Sequence, residues 1–311
     1  MRLLDLHCDT PLALWRGDVG LRDNKLCVDL NRIPFNTYVQ LAAHFCPMEV
    51  SDANGMAQTQ SVFSHLLRCL KNEARATLIT TKAALTTVVR EERFGFIPTL
   101  EDARVLNGDL AAIDTLFSLG FRLVTPLWRD ESCIGGAWNT DAGLTEFGRA
   151  ALRAMLARGF ILDLSHASRR SHAEIIALCR QMGRSPVATH SNAFSLAPHA
   201  RNLTDAQIRE IAALGGLIGI NFYPPFLTAD PPATLAHIIA HMRHIVRHGG
   251  EDAVAIGTDF DGVDALPCDI SGIWDMPLLT DILKKSGFSP LQIEKLYFKN
   301  AFQFLKNNLP T

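Results

Sequence analysis

Eight short apolar runs recur along this chain, with helical patterns between them: Leu3 to His7, Tyr38 to Phe45, Phe94 to Thr99, Phe121 to Thr125, Phe160 to Leu164, Pro186 to Thr189, Gly216 to Asn221 and Ala253 to Gly257. Strand-like runs that alternate with helices point to a parallel sheet joined by crossover helices. Eight such units is the number that closes a (β/α)8 TIM barrel. The chain has 311 residues, shows no internal repeat or low-complexity linker, and reads as one domain, 1–311. Capping-box patterns at Thr204 to Gln207 and Ser289 to Gln292 mark helix starts after the sixth and eighth strands. Residues 52–92 exceed one βα unit and are expected to hold two helices around Ala76 to Thr81. The proline-rich run from Asn221 to Pro232 is interleaved with Phe, Tyr and Leu and reads as an ordered loop.

In a barrel of this kind the chemistry sits where strands end, at the C-terminal face. Read only at those positions, the sequence offers His7 and Asp9 after the first strand, Glu101 after the third, and His166 after the fifth. His190 follows the sixth strand and Asp259 the eighth. His7 and Asp9 are two residues apart, so an extended chain points both to one face while Cys8 points away and packs. Three imidazoles and three carboxylates exceed the needs of a single tetrahedral site, and one carboxylate can bridge two ions. Two metals sharing a hydroxide can drive hydrolysis. Imidazole and carboxylate donors without thiolate favour two Zn²⁺, with Mn²⁺, Co²⁺ or Fe²⁺ as alternatives.

Composition narrows the partner. A formal net charge of −2 gives no basic surface for nucleic acid or an anionic membrane, so a small-molecule substrate is expected. The seven cysteines form no Cys-x-x-Cys pair and read as reduced thiols. No apolar run approaches the roughly 20 residues of a membrane span, and a cytoplasmic location is the expectation.

The motifs Asp5-Leu-His-Cys-Asp-Thr-Pro11, Gly143-Leu-Thr-Glu-Phe-Gly148, Leu162-Asp-Leu-Ser-His-Ala-Ser168, Thr189-His-Ser-Asn-Ala193, His199-Ala-Arg-Asn202, Asn221-Phe-Tyr-Pro-Pro-Phe226 and Gly257-Thr-Asp-Phe-Asp-Gly262 occur in this order along nearly the whole chain. Together they resemble the membrane (renal) dipeptidase family of amidohydrolase-like, metal-dependent TIM barrels. The resemblance implies that His7 and Asp9 hold one zinc, that His166 and His190 hold the other, and that Glu101 bridges them. It puts Asp259 on the family's catalytic acid and Arg201 on its substrate-binding arginine, with Tyr223 lining the pocket. The implied activity is hydrolysis of dipeptides with a free C-terminal carboxylate by a bridging hydroxide, in an enzyme that can form a homodimer.

Two departures stand out. The family's Glu-Gly-Gly is replaced by Glu101-Asp-Ala103, and its substrate-contacting His after the fourth strand is replaced by Trp128. An indole N–H donates one hydrogen bond but cannot become charged. Trp128 therefore also admits a different small amide or lactam as substrate of the same centre, or a metal-binding protein with little turnover.

Overall fold

The computed structural model describes residues 1–311. Its strands are β1 (Arg2–Cys8), β2 (Thr37–Phe45), β3 (Ala76–Leu78), β4 (Phe94–Glu101), β5 (Leu123–Thr125), β6 (Ile161–Leu162), β7 (Val187–Ala188), β8 (Leu217–Ile220) and β9 (Val254–Ile256). All pair in parallel, in the order β6-β5-β4-β2-β1-β9-β8-β7. A single bridge, Asp163 to Val187, joins β6 to β7 and nearly closes the ring. The fold is the TIM barrel that the eight runs imply.

The ninth strand, β3, lies in the stretch expected to hold two helices. Those helices form at Asp52–Lys71 and Lys82–Arg90, and β3 lies between them. It pairs with Phe94 to Phe96, whereas β5 pairs with Thr99 to Glu101, so two strands share one edge of β4 and only β5 enters the ring. The third barrel strand also runs two residues beyond the expected Thr99. Its last residue, Glu101, is held between Phe45 of β2 and Thr125 of β5.

The barrel interior is a separate buried layer. Leu4, Leu6, Val39, Leu41, Ile97, Leu123, Ile161, Val187, Leu217 and Ala255, from all eight barrel strands, cluster with Phe298, Ala301, Phe304, Leu305 and Leu309 of the C-terminal helical segment. That segment plugs the end of the barrel opposite the strand C-termini. A larger apolar layer on the outer face of the strands packs the helices against them.

Strand β1 carries the irregularity that matters most. With Leu4 and Leu6 facing inward, simple alternation would turn Cys8 inward and His7 outward. The register with β2 runs Asp5 to Gln40 and then Cys8 to Ala42, so β1 has one extra residue. This bulge reverses the phase. His7 turns to the barrel mouth, and Cys8 packs outside, 3.6 Å from both Tyr38 Oη and Thr258 Oγ1.

Both expected capping boxes are formed, at Thr204 with Gln207 and at Ser289 with Gln292. Pro224–Leu227 makes one helical turn within the proline-rich loop. All seven cysteines are unpaired. No helix is long and apolar enough to cross a membrane.

Candidate active site

The six strand-end residues converge at the barrel mouth. Glu101 lies at the centre, 3% exposed, and its two oxygens face different groups. Oε2 is 3.3 Å from His7 Nε2, while Oε1 is 3.1 Å from His166 Nε2 and 3.8 Å from His190 Nε2. On the Oε2 side, Asp9 Oδ2 lies 3.4 Å and Asp259 Oδ1 4.0 Å from His7 Nε2. Glu101, His166 and His190 thus form one potential ligand group, and His7, Asp9 and Asp259 form another.

The donor set fits metal ions. His166 Nδ1 is 2.9 Å from the Trp128 carbonyl oxygen and must donate to it, which leaves a lone pair on Nε2. That nitrogen faces His190 Nε2 at 2.9 Å, and His7 Nε2 is buried without a hydrogen-bond partner. Buried nitrogens gathered around a carboxylate in this way call for cations.

The electrostatics agree. Burial alone would push His7 down, but the Glu101 and Asp9 carboxylates hold its imidazole well above its ordinary value. Burial likewise acts to raise Glu101, and the facing His7 and His166 outweigh it and bring the carboxyl well below its usual range. Asp9 is pushed well up by burial and by the charge of Glu101. His166 and His190 are lowered by burial and by nearby cationic groups. The centre therefore needs positive charge, which either a proton on His7 or metal ions can supply.

Backbone geometry aims these groups. His166 and Asp259 have left-handed conformations, φ 69° and 64°, which non-glycine residues seldom adopt. Asp259 is fixed further by its own N–H donating to the His7 carbonyl (3.0 Å) and by Asn221 Nδ2 donating to its Oδ2 (2.9 Å). Gly262 makes room for the acids, because a Cβ there would collide with carboxylate oxygens of Asp9 and Asp259.

Arg201 is 5% exposed and forms no ion pair within 4.0 Å. Its Nη2 donates to the His190 carbonyl at 3.3 Å, and its Nε is buried without an acceptor. Burial lowers its guanidinium to about 10 although the Asp259 charge opposes the shift. Such a group is poised for an anion.

Trp128 borders the centre. Its ring lies 4.6 Å from that of Phe45 and 6.1 Å from that of His166, and its carbonyl is the group that orients His166. Tyr223 packs edge-on against Phe226, with ring centroids 4.9 Å apart. Burial and the nearby Asp264 carboxylate raise its hydroxyl. Arg129, beside Trp128, is exposed.

Three contributors were not singled out by the sequence patterns: Asn221, which holds Asp259, and the buried pair Asp163 and Thr189 beneath the imidazoles. Each lies within a motif already quoted, so the available signal was a polar residue beside a candidate ligand. Asp261, inside one of those motifs, turns away and accepts from Thr10 Oγ1 (2.7 Å) and the Cys27 N–H (2.6 Å).

The family model described as membrane dipeptidase (peptidase family M19) matches residues 1–309. A crystal structure of a metallopeptidase from Rhodobacter sphaeroides, liganded with a phosphinate mimic of the dipeptide L-Ala-D-Ala, is 25% identical. It superposes with a TM-score of 0.91 over 99% of both chains. A second, a dipeptidase described as an M19 metallopeptidase, is 26% identical with a TM-score of 0.91, covering 100% of this chain and 99% of that one. A Klebsiella pneumoniae protein described as an uncharacterized protein in the pqqA 5′ region is 32% identical over 232 residues, which is 70% of this chain and 84% of that protein.

Proposed function

The chain belongs to the membrane dipeptidase family and is a metal-dependent dipeptidase; on that premise we propose that it cleaves dipeptides bearing a free C-terminal carboxylate at a centre of two zinc ions. His7 and Asp9 would hold one ion and His166 and His190 the other, with Glu101 facing both groups. The split contacts of the Glu101 oxygens support that division. When bound, such ions would lower the pKa of a water nucleophile and polarise the scissile carbonyl.

The protein's own groups do the rest. Arg201 receives the substrate carboxylate and sets which peptide bond lies over Glu101. Asp259, held by Asn221 and close to His7, takes the proton from the attacking water and returns it to the leaving amine. Trp128 and Phe45 form an apolar wall beside His166. Tyr223 flanks the mouth through the loop after β8.

The observation that carries this reading is Arg201, a buried guanidinium without an acid partner beside the carboxylate and imidazole cluster. The test is a panel of free and C-amidated dipeptides given to the zinc-loaded enzyme and to Arg201→Ala. Free dipeptides are expected to be cleaved and amidated ones spared, and Arg201→Ala is expected to raise KM for free dipeptides by about 10²-fold, the worth of a charge-assisted pair. Equal cleavage of amidated peptides by the parent enzyme would refute the carboxylate clamp. Turnover of lactams or other amides with no dipeptide cleavage would favour the alternative substrate that Trp128 admits.

A further inference from the structure

Asp163 and Thr189 are both fully buried and lie inside the barrel just below the candidate ligands. Asp163 Oδ1 accepts the N–H groups of Ser165 and Thr189, each at 2.9 Å. Its Oδ2 faces the hydroxyls of Thr125 at 2.7 Å and Thr189 at 2.5 Å. Four donors around one side chain is the pattern of an ionised carboxylate, which accepts and never donates.

The Thr189 hydroxyl therefore gives its one proton to Asp163. The same oxygen lies 2.7 Å from His190 Nδ1 and 3.2 Å from His7 Nδ1. A hydroxyl has two acceptor lone pairs beside its single proton, so both contacts are closed by Nδ1–H donors. All three valences of the oxygen are then used. His7, Asp163 and His190 also lie close enough together to resemble a third ligand group, but this hydroxyl fills its centre and makes it a hydrogen-bond node.

We infer that Asp163 and Thr189 are positioning residues: through one hydroxyl they fix the Nδ1–H tautomer and the ring orientation of His7 and His190, leaving both Nε2 lone pairs aimed at Glu101. The Nε2 to Glu101 distances are 3.3 Å for His7 and 3.8 Å for His190. His166 receives the same service from the Trp128 carbonyl, so all three imidazoles are locked from behind. Because His7 and His190 belong to different ions, one hydroxyl supports both metal sites at once. The inference about metal rests on the proposed binuclear centre, whereas the tautomer assignment does not.

The test uses ¹⁵N-histidine NMR on the metal-free enzyme, recorded above the raised titration range of His7 so that its imidazole is neutral, and chelator-competition titration of zinc, each on the parent, Thr189→Val, Thr189→Ser and Asp163→Asn. In the parent, His7 and His190 are expected as Nδ1–H tautomers. Thr189→Val keeps the side-chain shape without the hydroxyl, and is expected to lose that single tautomer and to weaken both zinc equivalents by about 10–100-fold. Thr189→Ser is expected to restore both readouts. Thr189→Val carries the test alone if Asp163→Asn does not fold. Nε2–H tautomers in the parent, or Thr189→Val with the parent's tautomers and both zinc affinities intact, would overturn the inference. Parent enzyme with the expected tautomers but no zinc uptake would refute the binuclear reading and leave the tautomer assignment standing.

Discussion

At the scale of single residues, the proposed site separates into groups that would bind, groups that would move a proton and groups that hold the others in place. Asp259 combines a left-handed backbone, one oxygen held by Asn221 and the other 4.0 Å from His7 Nε2. Those constraints fit a proton carrier better than a ligand. Asp259→Asn is expected to retain two zinc equivalents while kcat falls by about 10²–10⁴-fold, the usual worth of general acid–base catalysis. Metal analysis beside steady-state kinetics checks this, and near-parental kcat would remove Asp259 from the proton pathway. The six strand-end residues were legible in the sequence because imidazole and carboxylate side chains at barrel strand ends have a chemical meaning that does not depend on neighbours. Thr189 was not, because a threonine hydroxyl gains its role only from His7, which is 182 positions away in the chain.

At the scale of elements, one histidine ties two mouth loops to the helix Leu235–Gly249. His241 is fully buried, its Nδ1 accepts the Ala193 N–H at 3.0 Å, and its Nε2 donates to the Leu227 carbonyl at 2.9 Å. Ala193 precedes Arg201 in the loop after β7, and Leu227 ends the turn after Tyr223. Burial lowers this imidazole from its ordinary 6.5 to about 4. A depressed folded-state value means that its contribution is present above about pH 6.5 and is lost as the pH falls through about 4. His241→Leu is expected to be less stable than the parent by about 2–3 kcal/mol at pH 7.5, mainly from an orphaned Ala193 N–H. That gap should narrow by up to about 1.4 kcal/mol per pH unit on acidification. Denaturant unfolding across pH 4 to 7.5 measures it, and a constant gap would contradict the assignment. The helix starts at Thr204 and Ser289 were readable because a capping box is a local pattern. The bulge in β1 was not, since it exists only in the pairing of Leu6 and His7 against Leu41, which no single segment encodes. His7 and Asp9 do meet at the mouth, 3.4 Å apart, but the extra residue in β1, which their spacing does not reveal, is what turns His7 there.

At the scale of the whole molecule, a barrel plugged at one end presents its mouth at the other. The C-terminal segment fills one end of the interior layer, and Phe304, 6% exposed, belongs to the buried cluster that this segment forms with the barrel strands. Phe304→Ala is expected to cost about 3–5 kcal/mol of unfolding free energy through lost burial and a cavity, with kcat/KM at permissive temperature near the parent value because the site lies at the opposite end. The eight-unit alternation made this architecture legible, whereas β3 was hidden because a three-residue strand on a shared edge leaves almost no pattern. Mutual support between the mouth and bound ions should make occupancy and activity rise together. The most direct measurement is therefore stepwise addition of zinc to metal-free enzyme, with binding and dipeptide hydrolysis followed in the same samples. Two equivalents are expected to bind, with hydrolysis reaching its plateau only as the second site fills. Full activity at one bound equivalent, or hydrolysis indifferent to zinc and to chelator, would contradict a binuclear centre built on His7, Asp9, Glu101, His166 and His190.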